Sequence, residues 1–327
     1  MGGDHGPSVT VPAALSCLAA NPELELVLLG EESQLRAALS GHSAQHSSRI
    51  SIVHCDQVVA MSDKPSQALR SKKQSSMRIG LDQLKAGEVD AMVSAGNTGA
   101  LLTIGYYVLK TSPGIDRPAI CVAMPTQEGH AYLLDLGANV DNCSEHLAQF
   151  ALMGSVLAQV LDGNPAPKVA LLNIGEEDIK GNEQVKLADS LMAQDTRINY
   201  TGYLEADRLF AGDADVVVCD GFVGNVALKS AEGAAKLIAY KGMRAFRRNL
   251  LTRALGLLIK PVVKDVMQDI NPEAYNGAFF LGLQGVLVKS HGNASASGFA
   301  CAVDKALAAV HNRMVQRLDQ DLESLAN

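Results

Sequence analysis

Short apolar runs recur along the chain, and between them the apolar positions open out to helical spacing. Seven runs read as strands: 24–29, 50–54, 91–94, 119–124, 131–136, 169–174 and 216–219. Several are apolar almost throughout, as strands covered on both faces must be. Three intervening stretches carry the helical pattern: 76–86, with Met77, Leu81 and Leu84 on one side, then 144–160, and finally 299–325. The alternation predicts a mostly parallel sheet with helices on both faces, an α/β fold in three layers.

Where predicted strands end, glycine stands beside Asp or Asn. The stretches are SAGNTGA (94–100), DLGANVD (135–141), NIGEEDIKGN (173–182) and CDGFVGNVALK (219–229). In open α/β sheets the carboxyl ends of strands are where ligands bind. Glycine lets a ligand approach peptide N–H groups, Asn adds an amide donor, and a helix starting there offers free N–H groups. Such a turn holds an anion without needing a lysine. In the first stretch Ser94, Asn97 and Thr98 add side-chain donors between Gly96 and Gly99; the last repeats the plan with Asn225 and Lys229. Ordinary tight turns and helix starts use the same residues, so each loop also reads as a structural one. The opening MGGDHGP has the same character with no apolar run before it, so a leading strand ahead of residue 1 is expected to be missing.

Charge and composition remove whole classes. The 327 residues contain no Trp and only 4 % aromatics, and the net charge is −7. Base-stacking platforms and general nucleic-acid binding are therefore not expected. Six scattered cysteines without a C-x-x-C pair read as reduced thiols of a cytoplasmic protein. No apolar run reaches the roughly 18 residues of a membrane span. Neither a dinucleotide fingerprint, a P-loop, a G-x-S-x-G elbow nor a metal-spaced histidine pair occurs on a helix.

Two basic stretches stand against the acidic whole. Arg70 and Lys73 flank a Ser-Lys pair ahead of a helix, and suit either solvent, phosphate or an acidic partner. Residues 240–264 carry seven Lys or Arg and no acid, with Arg244, Arg247, Arg248, Leu250, Leu257 and Leu258 in an amphipathic arrangement. That pattern fits an anionic membrane surface or a docking helix, and equally a long core helix with a basic edge.

Eight stretches in order carry a family likeness: MGGDHGP, SSMRIGL, SAGNTGALL, RPAI, LDLGANVD, ALLNIGEE followed by KG, VCDGFVGNVALK and NPEAYNGAFFLGLQGVLVKSHG. Together they resemble the bacterial phosphate acyltransferases of phospholipid synthesis over nearly the whole chain. The resemblance implies transfer of a long-chain acyl group from acyl carrier protein to inorganic phosphate, with the acyl phosphate passed to a glycerol-3-phosphate acyltransferase. It implies a fold like phosphotransacetylases and the isocitrate and isopropylmalate dehydrogenases, a homodimer, no cofactor or metal, and peripheral attachment to the membrane. The chain is then one catalytic unit with lobes at 1–95 plus 276–327 and at 96–275, the latter including a helical hairpin at 233–270.

A thioester attacked by phosphate needs two anions held together, the nucleophile and the developing oxyanion. On that chemistry Asn97, Thr98 and Gly99 cradle phosphate or the oxyanion, with Ser94 and Gly96 shaping the turn. Lys180 neutralises charge or protonates the departing thiolate. Asp220 and Asn225 orient phosphate or the pantetheine arm, Asp135 and Asn139 line the same cleft, and Arg70 and Lys73 meet phosphate or the carrier protein. The alternatives are an NAD(P)-dependent dehydrogenase of the related fold and a membrane-surface scaffold for lipid synthesis.

Overall fold

A computed structural model describes residues 2–40, 48–249, 252, 255–256, 259 and 273–323. The described helices are α1 (Pro7–Ala20), α2 (Glu32–Ser40), α3 (Pro65–Ser71), α4 (Ser76–Ala86), α5 (Thr98–Leu109), α6 (Ser144–Asp162), α7 (Glu183–Gln194), α8 (Gly221–Phe246), α9 (Ala296–His311) and α10 (Met314–Glu323). The strands are β1 (Leu26–Gly30), β2 (Ile50–His54), β3 (Ala91–Ser94), β4 (Ala119–Pro125), β5 (His130–Leu134), β6 (Lys168–Asn173), β7 (Asn199–Glu205), β8 (Val216–Val218), β9 (Ala278–Leu281) and β10 (Val286–Lys289). β1 and β2 form a parallel pair, and the other eight form one sheet in the order β3-β10-β9-β4-β5-β8-β6-β7.

Four of the seven pairings in the large sheet are parallel; β9 runs against both its neighbours and β4 runs against β5. The strands thus run in two opposite directions, with β9 inserted antiparallel between β10 and β4. β3, β10 and β4 point one way, and β9, β5, β8, β6 and β7 the other. β4 and β5 form a hairpin whose turn closes with Thr126 N–H donating to Gly129 O at 3.0 Å, and from β5 to β7 all strands run parallel.

Side chains alternate between two apolar layers, as the period of two dictates. Leu134, Val216 and Val218 face α6, α9 and α10, while Leu133 and Val217 face the layer containing α4 and α5. Both faces are covered, so the strands read as continuous apolar runs. Strands β7, β9 and β10 are additions to the sequence reading. β7 (NYTGYLE) is a half-buried edge strand with few apolar residues, and β9 and β10 are only four residues each, on either side of the Gly282-Leu283-Gln284-Gly285 turn. The expected helix over 299–325 is two helices, because Arg313 takes φ 53° between α9 and α10.

The free edges of β1 and β3 face each other across a cavity of about 440 Å³ between α1 and α9 on one side and α4 on the other. Gly80 of α4 touches both edges: a Cβ there would lie 2.8 Å from Leu29 Cδ1 and 3.0 Å from Met92 Cε. Of the expected hairpin at 233–270, α8 accounts for residues up to Phe246; Leu250, Leu257 and Leu258 lie outside the described residues.

Candidate active site

The glycine-rich turns form two clusters rather than one. The first lies at the carboxyl ends of β3 and β10. Asn97 is the N-cap of α5: its Oδ1 accepts from Ala100 N–H at 3.0 Å. Its Nδ2 donates to three carbonyls of a neighbouring loop, Ala60 (3.3 Å), Met61 (2.9 Å) and Asp63 (3.1 Å). The side chain is 7 % exposed and has no donor left for a substrate. The expectation that its amide binds phosphate is therefore corrected: Asn97 starts the helix and ties the 60–63 loop to it. Replacing it with Ala should remove about 3 kcal/mol of stability, from a lost cap and orphaned carbonyls, read as a shift in the urea midpoint.

Thr98, exposed in the first turn of α5, and Gly99 keep their place beside the helix N-terminus. Ser94 Oγ accepts from Gly96 N–H at 3.2 Å and so shapes the turn. Arg70 and Lys73 are exposed at and just past the end of α3, without hydrogen-bond or ion-pair partners among the described residues. Lys72 between them is committed, paired with Asp63 and donating to Val58 O at 2.7 Å.

The first cluster also holds a residue that sequence reasoning did not assign. Lys289, the last residue of β10, is 8 % exposed. Its Nζ donates to the carbonyls of Ala95, at 3.4 Å, and Ser290. Burial pulls its pKa down to about 8, with Asp4 opposing. Asp4 N–H donates to Gly292 O at 2.8 Å, so the 2–6 turn closes over the same end of the sheet. The available signal was a lysine ending an apolar run immediately before S-H-G.

The second cluster lies at the carboxyl ends of β5, β6 and β8. Asp135 is fully buried, and its carboxylate accepts four hydrogen bonds: from Ile120 N–H (2.9 Å), Ala138 N–H (3.1 Å), Asn139 N–H (2.7 Å) and Asn139 Nδ2 (3.0 Å). Burial pushes the carboxyl up, and the four donors pull against it. Asn139 Nδ2 also donates to Pro118 O at 2.8 Å, and Asn139 O accepts from Gly221 N–H at 2.9 Å. Asp220 caps α8, accepting from Phe222 and Val223 N–H at 2.9 and 2.8 Å. Asp135 and Asn139, expected to line a cleft, and Asp220, expected to orient phosphate or the pantetheine arm, here make the hydrogen bonds that fix the 135–139 turn and the start of α8.

Two expected donors remain uncommitted. Lys180 and Asn225 are exposed, and neither side chain has a hydrogen bond or ion pair with the described residues. Asn225 stands over Gly137, its Nδ2 3.4 Å from where a Cβ would be. Register puts the Lys180 loop next to it: Leu171 pairs with Val218, so Asn173 ends β6 level with Asp220. Asn173 is 8 % exposed, and its Nδ2 is buried with no partner among the described residues. Gly181 (φ 88°) lies against it; a Cβ there would come within 2.5 Å of Asn173 Oδ1. Asn173 thus supports the loop that carries Lys180, and sequence reasoning passed over it as the polar end of an apolar strand.

Within one chain the two clusters do not meet. β3 and β8 are five strand spacings apart, about 24 Å, and they point in opposite directions. The expectation of four loops around one hollow is corrected to three loops at one place and the 94–99 turn at another.

A family model described as fatty acid synthesis protein matches residues 1–317. Three phosphate acyltransferases are similar along almost the entire chain. That of Alkalilimnicola ehrlichii is 55 % identical over 99 % of this chain and 95 % of its own. That of Pseudomonas fluorescens is 54 % identical over 99 % and 96 %, and that of Halorhodospira halophila 53 % over 99 % and 95 %. Among solved structures, a phosphotransacetylase from Streptococcus pyogenes superposes with TM-score 0.62 at 18 % identity, covering 93 % of this chain and 91 % of that one. The EutD phosphotransacetylase from Staphylococcus aureus gives 0.59 at 17 %, covering 94 % and 92 %. At those identities the likeness establishes the fold, a three-layer α/β/α arrangement.

Proposed function

We propose the reaction from one premise: the chain belongs to the phosphate acyltransferase family, and is an acyltransferase of fatty acid and phospholipid synthesis. The donor is a long-chain acyl-[acyl carrier protein] and the acceptor is inorganic phosphate. A phosphate oxygen attacks the thioester carbonyl, a C–O bond forms, and the carbonyl oxygen becomes an oxyanion. Collapse breaks the C–S bond, releases the carrier's thiolate, which takes a proton, and leaves acyl phosphate. A glycerol-3-phosphate acyltransferase consumes that product.

The observation that carries this reading is the pair of uncommitted donors, Lys180 and Asn225, at the end of the sheet where Asp135, Asn139 and Asp220 are engaged in hydrogen bonds that fix loops and a helix start. Asp135, Asn139 and Asp220 fix the start of α8 that carries Asn225, and Asn173 and Gly181 support the loop that carries Lys180. A fixed donor aimed at a developing charge costs no reorganisation during the reaction, which is the source of its effect. Arg70 and Lys73 offer free positive charge to an acidic carrier protein.

Arg244, Arg247 and Arg248 end α8 without an ion pair to the described residues. They offer positive charge to anionic lipid, where a poorly soluble acyl phosphate is best delivered. No helix of the described residues is long and apolar enough to cross a membrane.

Palmitoyl-carrier protein mixed with phosphate and the enzyme should release free thiol at a rate that rises with phosphate and saturates. Thiol release of the same rate without phosphate would make the protein a thioesterase and end the reading.

A further inference from the structure

We propose that Arg117 holds the attacking phosphate beside Asn225, as a substrate-binding residue that sets the affinity for the acceptor. The assignment rests on the reading of the protein as a phosphate acyltransferase with Lys180 and Asn225 at the chemistry. Phosphate must then bind at the end of the sheet where those two side chains stand, and the local charge is against it. Asp135 and Asp220 lie there, and Lys180 shares its loop with Glu176, Glu177 and Asp178. Lys229 on α8 is already paired with Glu232 at 3.0 Å. Lys180 alone leaves this end negative, so a doubly charged acceptor needs a further cation.

Arg117 opens the RPAI stretch, just ahead of β4. Because β4 runs against β5, the start of β4 lies beside the end of β5: Cys121 pairs with Leu134, and Leu136 N–H donates to Ile120 O at 3.1 Å. The two are tied again where Asn139 Nδ2 donates to Pro118 O at 2.8 Å and Ile120 N–H donates to Asp135 Oδ1 at 2.9 Å. Arg117 thus leaves the chain one residue from a contact with the 135–139 turn, the turn over which Asn225 stands. β4 and β8 have only β5 between them. That separation is two strand spacings, about 10 Å, which an arginine side chain and a phosphate together fill.

The backbone around Arg117 is fixed while its head is free. Asp116 N–H donates to Gln149 Oε1 at 3.0 Å, and Gln149 Nε2 donates to Asp116 Oδ2 at 2.8 Å, so the neighbouring acid is engaged by α6. Pro118 biases Arg117 toward extended backbone. The arginine is exposed, and its side chain has no hydrogen bond or ion pair with the described residues. A planar guanidinium meets two phosphate oxygens at once, which an ammonium does not. The same fork suits the phosphodiester of the carrier's pantetheine arm, and kinetics separate the two sources.

The donor in the test is palmitoyl-carrier protein, with inorganic phosphate varied. Arg117→Gln should keep the wild-type urea midpoint, because the side chain it replaces is exposed and unpartnered. Its KM for phosphate should rise about 10- to 100-fold, the range of one charge-assisted bidentate contact. The loss in kcat should be smaller and the KM for carrier protein unchanged, the reverse of the split expected for Lys180→Ala. Arg117→Lys should recover part of the phosphate affinity. Millimolar guanidinium chloride added to Arg117→Ala should lower its KM for phosphate, which a merely structural role would not produce. An unchanged KM for phosphate in Arg117→Gln would overturn the assignment and leave the acyl-transfer reading and Lys180 standing. A rise in the KM for carrier protein alone would put the guanidinium on the pantetheine phosphodiester and defeat the assignment too. So would a lowered urea midpoint without guanidinium rescue, which would make Arg117 structural. Wild-type thiol release that ignores phosphate would remove the acyl-transfer reading itself, and the role of Arg117 with it.

Discussion

Lys180→Ala should fold like the parent and turn over phosphate-dependent acyl transfer 10²- to 10³-fold more slowly, about what one well-placed electrostatic donor contributes. Folding should be untouched because the side chain is exposed, makes no hydrogen bond or ion pair, and lies on a loop whose shape comes from other residues. Those are Gly181, seated on the Asn173 carboxamide, and the turn in which Lys180 N–H donates to Glu177 O at 2.9 Å. The loss should fall on kcat, with a smaller change in the KM for phosphate. A group that meets charge appearing only in the transition state acts there and not on the ground state. Arg should restore only part of the rate, since its planar fork needs a different position from a compact ammonium. An unchanged kcat, with urea midpoints equal to wild type, would exclude Lys180 from the chemistry.

The legible parts of this fold are those where local pattern and tertiary burial ask for the same thing. β2 and β3, and helix α4, have the limits their apolar spacing predicts, because their flanking polar residues coincide with real ends: Ser75 caps α4, and Gly87 closes it in the left-handed conformation. β9 and β10 were hidden because each is only four residues long, too short to show a period on either side of the GLQG turn. The orientation of β4 and β5 was hidden for a different reason. Strand direction depends on which neighbour a strand finds, and a run such as AICVAMP serves a parallel or an antiparallel partner equally well. Without direction, four glycine-rich turns after four strands look like one site.

Residue chemistry was legible and residue role was not. Asn97, Asp135, Asn139 and Asp220 occupy the ends of strands as expected, yet the same Asn and Asp that bind anions also cap helices and fix loops, and here they do the latter. Lys180 and Asn225 kept their expected freedom because nothing near them competes for their donors. What separates the two groups is burial, a property of the packed chain.

Lys289 brings burial and charge together, and its substitution should change how stability depends on pH. The ordinary lysine value of 10.5 applies to the unfolded chain, and the folded value is about 8. Between the two, the unfolded chain holds a proton that the folded chain has released. Stability therefore rises as pH increases from about 8 to about 10.5, and the full gain is about 3 kcal/mol at one pKa unit per 1.36 kcal/mol. Below about 8 both states carry the ammonium and the full penalty stands, borne by hydrogen bonds to the Ala95 and Ser290 carbonyls. Lys289→Met keeps the length of the side chain without the charge, so its urea stability should lack this rise, and the wild type should gain on it by that amount across the window. Tyrosines, cysteines and the other buried lysine, Lys305, titrate alike in both proteins and drop out of the difference. Parallel curves from pH 7 to 10.5 would show that Lys289 reaches water in the folded state. At neutral pH the predicted behaviour leaves a full positive charge under the 94–99 turn, held only by carbonyls. That destabilising charge has a use if the turn must attract an anion, and for a protein whose acceptor is phosphate it supplies the attraction where the Asn97 amide cannot.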